Sequence, residues 1–286
     1  MIPRPFELHS PTSLSEAISL LKRLDDPKVL AGGQSLVPLM KLRLVSPANV
    51  IDLGMIPGLS YIKKEKDRLL IGSMTTHSDV AASPAINSKC KTLSEAASNI
   101  GDRQVRNRGT IGGTICHADP AADVPAAAVA LDAEFKVSGP SNGRAISARD
   151  FFLGPLTGDV RRGEILTEVR VPILPPRSGG AYLKLGRGAS DLATVGVAAA
   201  VTLDRSGAFK DARLGLAGVG PTPMRATKAE EFLKGRKPSD DVLAEAGEKA
   251  GQMSNPASDI RGSAEYKREM VKVYVGRAIK QSLSRI

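Results

Sequence analysis

The chain has no tryptophan, four tyrosines and six phenylalanines, so aromatic residues make up only 3% of its 286 positions. A protein that binds nucleic acid usually pairs a basic stripe with aromatic stacking platforms. The net charge of +10 is spread evenly, with short clusters at Lys63-Lys64-Glu65-Lys66, Arg103 to Arg108 and Arg161-Arg162. Such clusters read as solvated faces, and a basic surface also suits acidic partners or a cofactor pyrophosphate. Cysteine is nearly absent: Cys90 and Cys116 are too few for an iron–sulfur cluster, which needs about four thiolates. With three histidines (His9, His77 and His117), a structural metal site is not expected either. Long apolar runs are also missing. The alanine-rich stretches Ala126–Ala130 and Val195–Val201 fall well short of the roughly 20 residues that cross a bilayer. Met1-Ile-Pro-Arg-Pro does not read as a signal peptide, so no transmembrane segment and a cytoplasmic location are expected.

What is present describes a globular protein, with 42% hydrophobic and 24% charged residues and enough length for two or three subdomains. Ser13-Leu-Ser-Glu16 is a capping box ahead of a helix carrying Leu14, Ala17, Ile18 and Leu21 on one face. Lys28-Val-Leu-Ala31 reads as a strand, Ser35 as the cap of a helix with Leu36, Leu39 and Met40, and Asn49 to Leu53 as a buried strand. This order predicts a small parallel α/β subdomain over 1–55. A second, mixed subdomain over 56–175 holds a strand at Arg68–Gly72 and a helical face of Leu93, Ala96, Ala97 and Ile100. Then come an Arg/Gly-rich loop, a helix from about Asp123 to Leu131, a strand at Glu134–Ser138 and a closing strand at Glu164–Val171. Pro172 to Gly180 is the candidate linker. In 176–286, strands Ala181–Gly186, Val195–Leu203 and Ala208–Val219 form an expected antiparallel meander. Helices near Met224–Lys234, Asp240–Met253 and Ser263–Leu283 follow, and the fold class is α+β.

Two segments carry chemistry: Leu30-Ala-Gly-Gly-Gln-Ser-Leu36 and Gly109-Thr-Ile-Gly-Gly-Thr-Ile115. Each sets a glycine pair after an extended run and follows it with a polar side chain. Without a Cβ, successive amides can turn inward and approach a phosphate. Ser35, Thr110 and Thr114 would add hydroxyl donors. A lone glycine pair is more often a tight turn, but two suit a dinucleotide pyrophosphate held from both sides. Neither matches the G-x-G-x-x-G or Walker pattern. On residue chemistry alone the chain is a nucleotide-cofactor binder.

The runs Ala31-Gly-Gly-Gln-Ser-Leu-Val-Pro38, Gln104-Val-Arg-Asn-Arg-Gly-Thr-Ile-Gly-Gly-Thr114 and Pro120-Ala-Ala-Asp-Val-Pro125 resemble the FAD-binding subunit of molybdenum hydroxylases. That family includes the medium chain of aerobic carbon monoxide dehydrogenase and the flavin part of xanthine dehydrogenase. The resemblance continues through Gly218-Val-Gly-Pro-Thr-Pro-Met-Arg225 and Ser258-Asp-Ile-Arg-Gly-Ser-Ala-Glu-Tyr266. It implies a two-part FAD-binding domain followed by a C-terminal antiparallel sheet with helices. Ala31, Gly32, Gly33, Gln34 and Ser35, with Thr110, Ile111, Gly112, Gly113 and Thr114, would contact the FAD pyrophosphate, and Leu36 would also bind the cofactor. Asp123 would stand near the ribose and adenine, or merely cap its helix. Ile100 would lie by the isoalloxazine ring, and Lys184, Asp191 and Leu192 would reach the flavin from the C-terminal domain. For Leu192 the other reading is a core position after a plain hairpin.

The departures from the family pattern are informative. Leu192 replaces a tyrosine of the carbon monoxide enzyme, Thr114 stands where asparagine is common, and Gln34 occupies a position that is histidine in some covalent flavoenzymes. FAD is therefore expected to be non-covalent. No four-cysteine insertion for an extra cluster is present. His77, in Thr75-Thr-His-Ser-Asp79, has two readings, an approach to the cofactor or its oxidant and a place at the surface or at a helix cap, of which the second is expected. The resemblance implies an electron-transfer oxidoreductase subunit without catalytic or metal-binding residues of its own. The molybdenum cofactor and 2Fe-2S clusters would sit on a large and a small partner subunit, in a dimer of heterotrimers. The rival is a stand-alone FAD oxidase or dehydrogenase of the same superfold.

Overall fold

The computed structural model describes residues 2–141 and 143–286. Strands β1 (Glu7–His9), β2 (Lys28–Leu30) and β3 (Asn49–Asp52) form a parallel sheet in the order β1-β3-β2, with helices α1 (Leu14–Arg23) and α2 (Leu36–Lys41) between them. The capping box works one residue offset. Ser13 Oγ accepts from the Glu16 amide at 3.2 Å, while the Glu16 carboxylate accepts from the Thr12 amide at 3.0 Å. Helix α1 buries Ala17, Leu20 and Leu21 against Ile51 and Leu53. Strand β1 was not expected from the sequence. Glu-Leu-His carries no apolar alternation, and its place comes from pairing with β3, helped by His9 Nε2 to Asn49 Oδ1 at 3.0 Å.

Strands β4 (Ile62–Glu65) and β5 (Arg68–Gly72) form a hairpin turned at Lys66, whose φ is +51°. The expected charge cluster at Lys63 to Lys66 is thus an edge strand and its turn, still exposed on its side chains. Helices α3 (His77–Ala82), α4 (Pro84–Lys89), α5 (Lys91–Ser98), α6 (Arg103–Arg106), α7 (Ile111–His117) and α8 (Asp123–Ala130) follow. The segment expected to be one Arg/Gly loop therefore contains two short helices. Next come β6 (Glu134–Ser138), β7 (Arg144–Ser147), α9 (Ala148–Phe151), the hairpin β8 (Phe152–Gly154) and β9 (Thr157–Gly158), and β10 (Ile165–Pro172). The main sheet runs β4-β5-β10-β6-β7 with antiparallel neighbours, and a bulge between Leu166 and Glu168 interrupts the β10–β6 ladder.

Beyond Pro172 only 173–177 lie outside regular strands, because Ser178 to Gly180, expected in the linker, already belong to β11 (Ser178–Leu185). Strands β11, β12 (Val195–Leu203) and β13 (Phe209–Ala217) form the expected meander, extended by β14 (Met224–Arg225). Met224 and Arg225 were expected to be helical; pairing with Leu216 and Gly215 makes them a strand, and helix α10 starts later (Thr227–Leu233). Helices α11 (Asp240–Met253) and α12 (Ala264–Leu283) cover one face of this sheet. The other face meets α5 and α8. All eight residues of α8 are buried, and its alanines let β13 come so close that a Cβ on Gly215 would overlap the Ala126 carbonyl. Among the described residues, no helix is long and apolar enough to cross a membrane.

Candidate FAD-binding site

The first glycine segment leaves β2 and bends at Gly33, whose φ of +74° lies in the left-handed region open to glycine. The backbone N–H groups of Gly32, Gly33, Gln34 and Ser35 have no partner among the described residues. Four consecutive free amides ahead of a helix form a concavity of donors suited to an anion. Ser35 holds the position before α2, but its hydroxyl makes no capping bond, contrary to the sequence expectation, and stays available.

The second segment is built differently. The Ile111 amide donates to Thr75 O at 3.0 Å, the Gly112 amide to Ser73 O at 2.9 Å, and the Gly113 amide to Thr110 Oγ1 at 3.1 Å. These donors are therefore spent inside the protein, and the expected cradle of amides exists only on the first loop. The glycines here serve packing. A Cβ on Gly112 would sit 2.6 Å from the Ser73 Cβ, and one on Gly113 would sit 2.9 Å from Thr110 Oγ1 and 3.6 Å from the Ala31 Cβ. What this side offers is hydroxyl hydrogens, from Thr110 and Thr114.

The two segments face each other across a cavity of about 340 Å³. Ala31 to Leu36, Thr110, Gly112, Gly113 and Thr114 line it together. Ile111 does not, since its side chain is fully buried in the central core. Sequence reading missed the rest of the wall, including Ser73, Cys116, His117 and the strip from Glu164 to Leu166 beside the β10 bulge. Ser73 Oγ is buried and unpaired, a donor left for a ligand. A carboxylate beside an anion site would be unfavourable, but Arg144 binds both Glu164, at 2.9 Å, and Asp159, at 2.6 Å. The Arg144 hydrogen bonds hold both carboxyls below their usual range.

His77 is neither at the surface nor a cap. It is 1% exposed, and Thr76 caps α3 by accepting from the Asp79 amide at 3.1 Å. Its ring lies 2.7 Å from Thr114 Oγ1 through Nε2. Burial, aided by the Arg106 charge, lowers its pKa to about 4. The unfolded chain, with the ordinary value of 6.5, binds more protons in that window, so this group's stability is present above pH 6.5 and lost as pH falls towards 4. The loss should reach roughly 3 kcal/mol. Urea titrations of the wild type and His77→Gln at several pH values check it: the wild-type-minus-variant difference should slope between pH 6.5 and 4, and a flat difference rules it out.

The remaining expected residues lie away from the cavity. Asp123 is the first residue of α8, whose N-cap is Ala122, so Asp123 does not cap the helix. Its buried carboxyl accepts from the Tyr182 hydroxyl at 2.6 Å and from Lys184 Nζ at 3.0 Å. Burial raises the Asp123 pKa against the opposing pull of Lys184 and Tyr182. Lys184 also donates to the Asn99 carbonyl at 2.9 Å, fixing the turn that carries Ile100. Asp191 faces Arg261 at 3.8 Å, and Leu192 is 36% exposed, which removes the core reading of that side chain. Tyr182, the second partner of Asp123, was not singled out from the sequence.

Residues 4–174 match the family model described as the FAD binding domain in molybdopterin dehydrogenase, and 180–282 the CO dehydrogenase flavoprotein C-terminal domain. The chain is 39% identical over 281 residues to the glyceraldehyde dehydrogenase medium chain of Sulfolobus acidocaldarius, covering 98% of this chain and 99% of that one. It is 40% identical over 287 residues to the carbon monoxide dehydrogenase medium chain of Hydrogenophaga pseudoflava, covering 100% and 99%. A solved structure of the Hydrogenophaga pseudoflava carbon monoxide dehydrogenase, in a form lacking the Mo-pyranopterin moiety of its molybdenum cofactor, contains a chain that superposes with a TM-score of 0.97. That chain is 41% identical, with 100% and 99% of the two chains covered. The free amides, the unpaired Ser73 hydroxyl and the glycine-lined cavity fit the cofactor that these matches name. The chain belongs to the family of FAD-binding flavoprotein subunits of molybdenum hydroxylases, and is an oxidoreductase subunit.

Proposed function

We propose that this chain holds FAD non-covalently and relays electrons within a molybdenum hydroxylase. The observation that carries the reading is the run of four unpartnered amides, Gly32 to Ser35, opposite Thr110, Thr114 and the unpaired Ser73 hydroxyl. The Gly32–Ser35 amides would hold the pyrophosphate, with Ala31 and Leu36 at the ends of the loop and Gly112 and Gly113 lining the cavity opposite. Gln34 has no nucleophile for covalent attachment. The Asp123–Lys184 pair positions the Asn99–Ile100 turn, and Ile100, Asp191 and Leu192, outside the cavity, would meet the flavin ring.

Bound FAD accepts single electrons and delivers them in pairs to an external acceptor. The chain's residues bind, orient and shield it, and we assign none of the described ones the role of a catalytic acid or base. The electrons would come from 2Fe-2S clusters on a small partner subunit, supplied by a molybdenum cofactor on a large one, in a dimer of heterotrimers in the cytoplasm. With two cysteines and, among the described residues, no group of three metal-ligating side chains, the clusters belong to those partners.

The purified chain should be yellow and should release FAD into the supernatant on acid precipitation. An artificial reductant should bleach its flavin, yet it should hydroxylate no substrate unaided. Flavin retained in the acid pellet rules out the non-covalent claim, and substrate turnover by the lone chain rules out the relay.

A further inference from the structure

A buried histidine sits directly behind the hydroxyl side of the cavity. The His77 amide donates to Gly109 O at 2.9 Å, and its ring reaches Thr114 Oγ1 on α7, so it holds the second glycine segment near both of its ends. A Cβ on Gly109 would touch the ring at 3.1 Å, which leaves little room for the imidazole to turn. His77 Nδ1 is buried with no partner among the described residues.

That orphan selects the tautomer. A neutral imidazole has one N–H and one lone pair. A buried N–H without an acceptor forfeits a strong donor, whereas a bare lone pair is the lesser loss. The proton therefore sits on Nε2 and is donated to Thr114 Oγ1. A hydroxyl that accepts there keeps its own hydrogen for another acceptor, and Thr114 lines the cavity. The depressed pKa of the ring keeps this arrangement through neutral pH.

We propose that His77 is a positioning residue for the cofactor: by donating from Nε2 it turns the Thr114 hydroxyl into an obligate donor aimed at the FAD pyrophosphate. The inference rests on the reading of this cavity as the pyrophosphate site. It gives His77 a role at one remove from the ligand and accounts for a buried imidazole whose second nitrogen is unused.

The test is a double-mutant cycle on the full chain, with FAD affinity read from quenching of flavin fluorescence and the bound pyrophosphate read by phosphorus NMR. Thr114→Val and His77→Phe should each weaken FAD about tenfold, the range of one hydrogen bond to a charged group. The double variant should be no weaker than either single one, because both remove the same bond. His77→Gln, whose amide can still donate from its end, should restore affinity and the wild-type phosphorus shift. His77→Asn, too short to reach Thr114, replaces the phenylalanine variant if that one does not fold. Multiplying effects, or unchanged affinity in Thr114→Val or His77→Phe, overturns the proposal. Gly32→Val is the companion control. Its loss of FAD beside an unaffected Thr114→Val means that the site stands and the histidine role fails. FAD retained in Gly32→Val means that the site itself is misassigned.

Discussion

Replacing Gly32 with valine should lower FAD affinity by at least about a hundredfold, while most of the fold survives. A Cβ at this position would overlap the Arg108 carbonyl and come within 2.7 Å of the Gly109 Cα. Backbone cannot yield as a side-chain tip can, so the first loop must back away from the second. The four free amides then lose their place opposite Thr110 and Thr114, and an anion site made of fixed dipoles fails when its geometry opens. The measurement is the flavin-to-protein ratio after gel filtration, with circular dichroism to confirm the fold. Gly154→Ala is the matched control, since a Cβ there meets nothing within 4 Å. A Gly32→Val protein that keeps its full complement of FAD would mean that this cavity is not the pyrophosphate site.

Removing the ammonium of Lys184 should have the largest effect on stability. Lys184→Met leaves the buried Asp123 carboxylate with the Tyr182 hydroxyl as its remaining side-chain partner and strips the Asn99 carbonyl of its donor. Breaking a buried pair by deleting one partner typically destabilises by about 3–5 kcal/mol. Burial already raises the Asp123 pKa, and without Lys184 the carboxyl would be raised further. A raised folded pKa makes a group's contribution fullest in acid and lost as pH rises, so the variant's deficit should shrink as pH falls. The double variant Lys184→Met/Asp123→Asn should recover part of the loss. Urea midpoints at two pH values decide it: a deficit below about 1 kcal/mol, or one that does not narrow in acid, refutes the buried-charge account.

The elements legible in the sequence were those with local signals. The capping box at Ser13 opens α1, and the apolar runs at Val195 and Phe209 mark β12 and β13. The elements missed owe their conformation to distant partners. Strand β1 exists because β3 lies beside it, and β14 because β13 does. Helix α7 was hidden because glycines are poor helix formers, and only the closeness of Ser73 explains why a smaller residue was needed at Gly112. The site divides the same way. Both glycine segments announced themselves, whereas Ser73 and the Glu164–Leu166 strip reach the cavity through the pairing of β5 with β10, nearly a hundred residues apart in sequence. His77 was visible as a residue but not as a buried one, since nothing in Thr75-Thr-His77 reveals that α7 closes over it.

The edge strand β4 bears on the chain's life before assembly. Its outer rim offers unpaired backbone groups, the usual template for sheet-to-sheet aggregation. Lys63 and Lys64 on this four-residue strand and Lys66 at its turn, all exposed, leave the rim net positive around Glu65. Two copies approaching edge to edge would bring six ammonium groups together, so the edge repels its own kind. Exchanging these lysines for threonine should therefore show first as turbidity in the free chain and leave its flavin content unaltered.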